Sequence, residues 1–166
     1  MKRSFVLFML SVLPVLAHSQ VVKLNQGDFE VSGSAILNRS EVGFNARLGT
    51  FVMDYIQVGV NAQWIDTNFA TRTGLNLYGI RLYETGTYFL PYAGGSIGFG
   101  SLDFDFGSSG SGLELQAIGG VKYYLTDNVS LNTELTLGVS TDDTFLGDKK
   151  AESTEIALRV GISYLW

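Results

Sequence analysis

The chain closes on Thr154-Glu155-Ile156-Ala157-Leu158-Arg159-Val160-Gly161-Ile162-Ser163-Tyr164-Leu165-Trp166, and the reading of this stretch decides the fold. In a strand, successive side chains point to opposite faces. Ile156, Leu158, Val160, Ile162, Tyr164 and Trp166 therefore share one side, and Glu155, Ala157, Arg159, Gly161 and Ser163 share the other. A soluble sandwich would bury the apolar side and would rarely end the chain on it with a bare Trp. A membrane barrel inverts the arrangement: apolar residues meet lipid, polar ones line the lumen, and aromatic rings form girdles at the bilayer interfaces. The closing segment fits the inverted plan.

Earlier segments repeat it. Phe29, Val31, Gly33, Ala35 and Leu37 alternate with Ser32 and Ser34, with Ile36 as an inward exception. After a tight Asn38-Arg39-Ser40 turn, Val42, Phe44, Ala46 and Leu48 oppose Asn45, Arg47 and Gly49. Ile56, Val58, Val60, Ala62 and Trp64 alternate with Gln57, Gly59, Asn61 and Gln63, a row of amides that no soluble core easily accommodates. The fourth segment, Thr73 to Tyr83, is the least regular; there Leu75 and Leu77 share parity with Arg81, which is assigned to the lumen. The fifth sets Phe89, Pro91, Ala93, Gly95, Ile97 and Phe99 against Tyr92, Gly94, Ser96 and Gly98. The sixth opposes Leu113, Leu115, Ala117, Gly119, Val121 and Tyr123 to Glu114, Gln116, Gly120 and Lys122. The seventh runs from Val129 to Val139 with Ser130, Asn132, Glu134 and Thr136 inward. The expected fold class is all-β, an eight-stranded antiparallel up-and-down transmembrane β-barrel. Tight turns are expected at one end, and longer polar loops at the other, over 66–71, 102–111 and 141–152.

Upstream of the barrel, Lys2 and Arg3 precede an apolar run from Phe5 to Leu16 and then Ala17-His18-Ser19. This has the form of a secretory signal peptide, and the run is too short to span a bilayer as a helix, which takes about 20 residues. The expected organisation is a signal over 1–19, a short polar lead over 20–28 and the barrel over 29–166. Cleavage after Ser19 removes two of the 11 basic residues and the single His, and leaves all 16 acidic ones. That balance argues against a nucleic-acid partner. With no Cys in the chain and its only His in the leader, a Ser-His-Asp or Cys-His nucleophile and the usual imidazole or thiolate metal sites are not expected. No enzyme, no cofactor and no resident metal are anticipated. Asp103 and Asp105, or Asp142, Asp143 and Asp148, could hold a divalent cation, but their spacing lacks the ordered ligand sequence of a calcium loop.

The candidate functional residues are the charges assigned to the lumen: Arg47, Arg81, Glu114, Lys122, Glu134, Glu155 and Arg159. Eight strands enclose a space that side chains just fill, so charges there must pair or stay hydrated. One reading is a pairing network, with Glu134 joined to Arg159 and Lys122, that plugs the barrel. The other is a narrow ion path. Trp64, Tyr88, Tyr92, Tyr123, Tyr124, Tyr164 and Trp166 read as interface-belt aromatics.

Three stretches carry a family resemblance: Pro91-Tyr92-Ala93-Gly94-Gly95, Gly119-Gly120-Val121-Lys122-Tyr123-Tyr124-Leu125 and Gly161-Ile162-Ser163-Tyr164-Leu165-Trp166. With them the chain resembles the small eight-stranded outer-membrane barrels of the OmpA/OmpX and opacity-protein type, the outer membrane beta-barrel domain proteins. The resemblance implies a bacterial outer membrane of Gram-negative type and a structural or surface-interaction role. It also implies that Ile162, Tyr164 and Trp166 form the signal read by the barrel-assembly machinery, with Trp166 where Phe is commoner. The partners it suggests are outer-membrane lipid, that machinery, and a surface partner at the three loops. The rival class is a soluble lipocalin-like carrier, also an eight-stranded barrel, which needs the Ile/Val/Leu face turned inward.

Overall fold

The computed structural model describes residues 22–38, 41–67, 69–105, 107, 109–146 and 151–166. Eight long strands make up the wall: β1 (Phe29–Asn38), β2 (Glu41–Met53), β3 (Ile56–Asp66), β4 (Ala70–Leu82), β5 (Phe89–Phe104), β6 (Ser109–Tyr124), β7 (Val129–Ser140) and β10 (Thr154–Leu165). Two short strands, β8 (Phe145–Leu146) and β9 (Ala151–Glu152), pair with each other within the last connection. Each long strand lies antiparallel to its sequence neighbours, and β10 closes the barrel on β1 through pairs running from Glu30↔Leu165 to Leu37↔Leu158. Closure leaves no strand edge unpaired, which a sheet in lipid requires.

Alternation sets the two faces. Along β10, Ile156, Leu158, Val160, Ile162, Tyr164 and Trp166 are all exposed on the outer wall, while Glu155, Ala157, Arg159, Ser163 and Leu165 are buried in the lumen. The other strands follow: Leu75, Leu77, Phe99, Leu131 and Leu137 face out, and Asn45, Gln57, Asn61, Gln63, Asn76 and Gln116 face in. A polar interior inside an apolar exterior rules out the soluble-carrier arrangement, which requires the opposite. Ile36 is indeed turned inward and is 1% exposed.

Several expectations are corrected. The fourth strand begins at Ala70 rather than Thr73, so Arg72 becomes part of the wall and points inward. Arg81 faces out with Leu75 and Leu77, because strict alternation from Arg72 gives it the opposite parity. The residue is one position from the strand's end, where a charge can reach the interface rather than the hydrocarbon. The connections at 67–69 and 105–108 are short because β3 to β6 continue through the polar residues read as loops. The 83–88 connection at the opposite end is longer than either, so the expected length asymmetry survives only in the last connection, 141–153, which is the longest of all. The Asn38-Arg39-Ser40 turn is not wholly within the described residues, and the signal stretch lies outside them.

The lead is not simply polar. Val22 and Leu24 are buried among Phe51, Leu82, Leu90, Tyr124 and Leu165 at the end of the barrel that carries the C-terminus. Its backbone is tied there: Gly27 N–H donates to the Phe51 carbonyl at 2.8 Å, Phe51 N–H to the Asp28 carbonyl at 2.9 Å, and Gln26 N–H to the Asp54 carboxylate at 3.0 Å. The Tyr55 hydroxyl donates to the Val22 carbonyl at 3.1 Å, and Tyr55 takes the left-handed conformation, φ 61°, that the tight turn after β2 requires.

Candidate functional site: the lumen

The lumen is filled in layers. Above the apolar layer at the termini end, Lys122 on β6 is ion-paired with Glu30 on β1. The next layer is centred on Glu134 of β7. Arg47 of β2 donates to its two oxygens at 2.5 and 2.7 Å, Arg159 of β10 donates at 3.0 Å, and the Tyr92 hydroxyl of β5 donates at 3.0 Å. The Arg47 pair is bidentate, the geometry in which a guanidinium fork and a carboxylate bind most strongly. Four strands from different parts of the wall thus meet on one carboxylate.

Glycines make room for this layer. A Cβ on Gly120 would meet the Tyr92 ring at 2.5 Å, so the tyrosine lies flat against the inner wall only because that position is bare. Arg47 also lies over the Tyr78 ring, 5.1 Å from its centroid, and Tyr78 rests against the bare positions Gly49 and Gly59.

Towards the other end come the amides Asn61, Gln63, Asn76 and Gln116, and then a third charged layer built on Arg72. Arg72 donates to Glu114 at 2.7 Å and to Gln63 at 3.1 Å, and stands 3.8 Å from Glu155. Neither Glu155 oxygen accepts a hydrogen bond. The last connection folds back over this layer. The Thr144 carbonyl accepts from Arg72 at 3.0 Å, the Thr144 hydroxyl donates to Glu114 at 3.0 Å, and the fully buried Phe145 ring covers the guanidinium at 4.7 Å. Leu146 completes an apolar cap with Ile36, Ile65 and Leu102.

Among the described residues, four cations (Arg47, Arg72, Lys122, Arg159) and four carboxylates (Glu30, Glu114, Glu134, Glu155) face the lumen, so its formal charge is zero. Burying these groups singly would cost several kcal/mol each, and pairing offsets that cost.

The sequence-predicted residues divide accordingly. Arg47, Glu134 and Arg159 come together; Glu114 and Glu155 meet at Arg72; Lys122 joins Glu30 rather than Glu134. Arg81 is on the outer wall. Arg72 and Glu30 were missed, although Glu30 alternates with the outward Phe29 and Val31. Of the expected belt aromatics, Trp64, Tyr164 and Trp166 face outward, and Trp166 stacks between Phe29 and Tyr164 at 6.2 Å from each. Tyr123 is half-buried, and Tyr88 packs over the apolar cluster at the termini end. Tyr92 and Tyr124 are lumenal, at 4% and 2% exposure, and are not belt residues. Each falls on the inward parity of its strand. Ile162, Tyr164 and Trp166 form one outward row. Among the described residues no group of three or more His, Cys, Asp or Glu side chains could hold a metal ion; Asp148 lies outside them.

Comparison with known structures agrees with the architecture. The N-terminal β-barrel domain of Pseudomonas aeruginosa OprF matches over 89% of this chain and 100% of its own, with a TM-score of 0.60 and 17% identity. Neisserial surface protein A matches over 82% and 94%, with a TM-score of 0.58 and 15% identity. A de novo designed transmembrane β-barrel matches over 87% and 99%, with a TM-score of 0.60 and 16% identity. A designed chain matching as well as natural ones shows that these likenesses report fold alone. No curated protein matches the sequence. The family model for the outer membrane protein beta-barrel domain matches residues 4–163, and the chain belongs to that family of integral outer-membrane barrels.

Proposed function

We propose that this protein is a non-enzymatic outer-membrane barrel with a structural or compact surface-interaction role, exported with cleavage of residues 1–19 and plugged by its own lumenal side chains. The observation that carries the plug is the convergence of Arg47, Tyr92 and Arg159 on Glu134, which ties β2, β5, β7 and β10 together across the lumen. The apolar layers at both ends support it, one filled by Val22 and Leu24 of the lead and the other by Leu146 of the last connection, next to the Phe145 ring that covers Arg72. Any surface partner would meet the outer parts of 66–71, 102–111 and 141–152, whose acidic side chains disfavour nucleic acid. Ile162, Tyr164 and Trp166 are assigned to recognition by the assembly machinery. The row they form on the closing strand is accessible from lipid.

The narrow ion path has one observation in its favour. Several buried polar atoms, among them Arg47 Nε, Arg159 Nε and both Glu155 oxygens, make no hydrogen bond to protein. Conductance across planar bilayers decides between the two. The plug reading expects purified, folded protein to give no stable current steps; reproducible steps would overturn it in favour of the ion path.

A further inference from the structure

The outer wall carries one cation that the lumen does not account for. Among the described residues, Arg81 is the only Lys or Arg on the outward face of a barrel strand. It lies one position before the end of β4, level with Ile56 on β3 and Ala93 on β5. Its guanidinium is 5.7 Å from the centroid of the Tyr83 ring, itself half exposed on the same wall. Among the described residues no carboxylate is within ion-pair distance of it.

The height of Arg81 defines its surroundings. Its end of the barrel carries the lead segment from residue 22, the C-terminal Trp166 and the aromatic row Phe29, Tyr164 and Trp166, with Phe89 and Tyr83 further round the wall. Such rings sit at headgroup level. In outer-membrane barrels this end faces the periplasm, an orientation that rests on the family assignment. An unpaired guanidinium at the level of lipid headgroups needs an anion, and its planar fork suits two phosphate oxygens. On one side of Arg81 the outward residues are small, with Ala93 and Gly95 on β5 and Gly119 beyond them on β6, as is Gly79 on its own strand; on the other side Ile56 of β3 flanks it. Nothing lies within 4 Å of a Cβ built on Gly119, so the wall is bare at that position, two strands from Arg81.

We propose that Arg81, backed by the Tyr83 ring, binds the phosphodiester of a phospholipid in the periplasmic leaflet, and so fixes the rotation and depth of the barrel in the membrane. The charge is complementary, and the position matches the headgroup layer. The other outward charges of the wall, Asp66 and Asp103, lie at the opposite end.

The test is native mass spectrometry of the full mature barrel released from mild detergent and titrated with phosphatidylglycerol. Wild type should retain one lipid. Arg81→Gln should weaken retention about tenfold, the loss of one charge-assisted contact, while Arg81→Lys should keep most of it. Equal retention by wild type and Arg81→Gln would overturn the proposal. So would equal retention of a phosphate-free galactolipid, or displacement of the lipid by millimolar inorganic phosphate, which would mark a simple anion site. An unheated-versus-heated gel-mobility shift on each variant shows that the barrel is folded. That readout and the bilayer-conductance readout of the plug are independent of the lipid count, so failure of one reading is distinguishable from failure of the other.

Discussion

The two arginine-containing layers of the lumen use the same residue types to opposite balance. Around Glu134, two arginines and a tyrosine hydroxyl converge on one carboxylate, and all of them come from the barrel wall. Around Arg72, one guanidinium serves two carboxylates, and a loop supplies the rest: a carbonyl and a hydroxyl from Thr144 and a ring from Phe145. The first layer is in excess of positive charge and the second in excess of negative, so each is incomplete without the other. Wall strands thus fix the lower layer, around Glu134, by register, whereas the upper, around Arg72, depends on how the last connection folds back. The lower layer is expected to set global stability, and the upper to set how firmly the far end is closed.

The largest effect that would break this comparison is at Glu134. Glu134→Ala leaves two buried arginines without their counter-ion, and a loss of about 3–5 kcal/mol is expected. Urea unfolding in lipid vesicles, with folded and unfolded bands separated by gel mobility, measures it. A loss below about 1 kcal/mol would mean that the lower layer is no more than a hydrated surface pair. Next comes Phe145→Ala, which removes a fully buried ring and is expected to cost about 3 kcal/mol. Its second signature is protease cleavage within 141–152 at enzyme levels that leave wild type intact; equal resistance would show that the ring does not hold the loop down. The smallest effect is Glu155→Gln. Because neither oxygen of Glu155 accepts a hydrogen bond, removing its charge should change stability by less than about 1 kcal/mol. A loss comparable to that at Glu134 would show that the two layers are balanced alike.

Most of the wall was legible in the sequence because a membrane barrel writes its lumen in polar residues at period two, as in Gln57, Asn61 and Gln63 or Asn132, Glu134 and Thr136. The reading weakened where that contrast disappears. Near the termini end the lumen is apolar, so Tyr78, Ile80 and Leu82 looked no more inward than Leu75 and Leu77. With no polarity difference between the faces, Arg81 is the only charge that segment offers the lumen, while Arg72 falls between the expected loop over 66–71 and the expected strand from Thr73. Tyr92 failed for another reason: its parity with Gly94 and Ser96 placed it inside, but the habit of aromatics to lie in interfacial belts suggested the outside. The bare wall at Gly120 that receives its ring is a three-dimensional match between strands, invisible in a linear sequence. The same holds for Thr144 and Phe145, whose partners Arg72 and Glu114 are distant along the chain.

The proposed plug requires that opposite charges pairing across the lumen hold this barrel shut. A double-mutant cycle on Arg47 and Glu134 tests it most directly, through the unfolding free energies of Arg47→Ala, Glu134→Ala and the double variant in the same vesicles. Strong coupling is expected, with the double variant less destabilised than the sum of the singles by about 2 kcal/mol or more. Additivity within about 0.5 kcal/mol would contradict it.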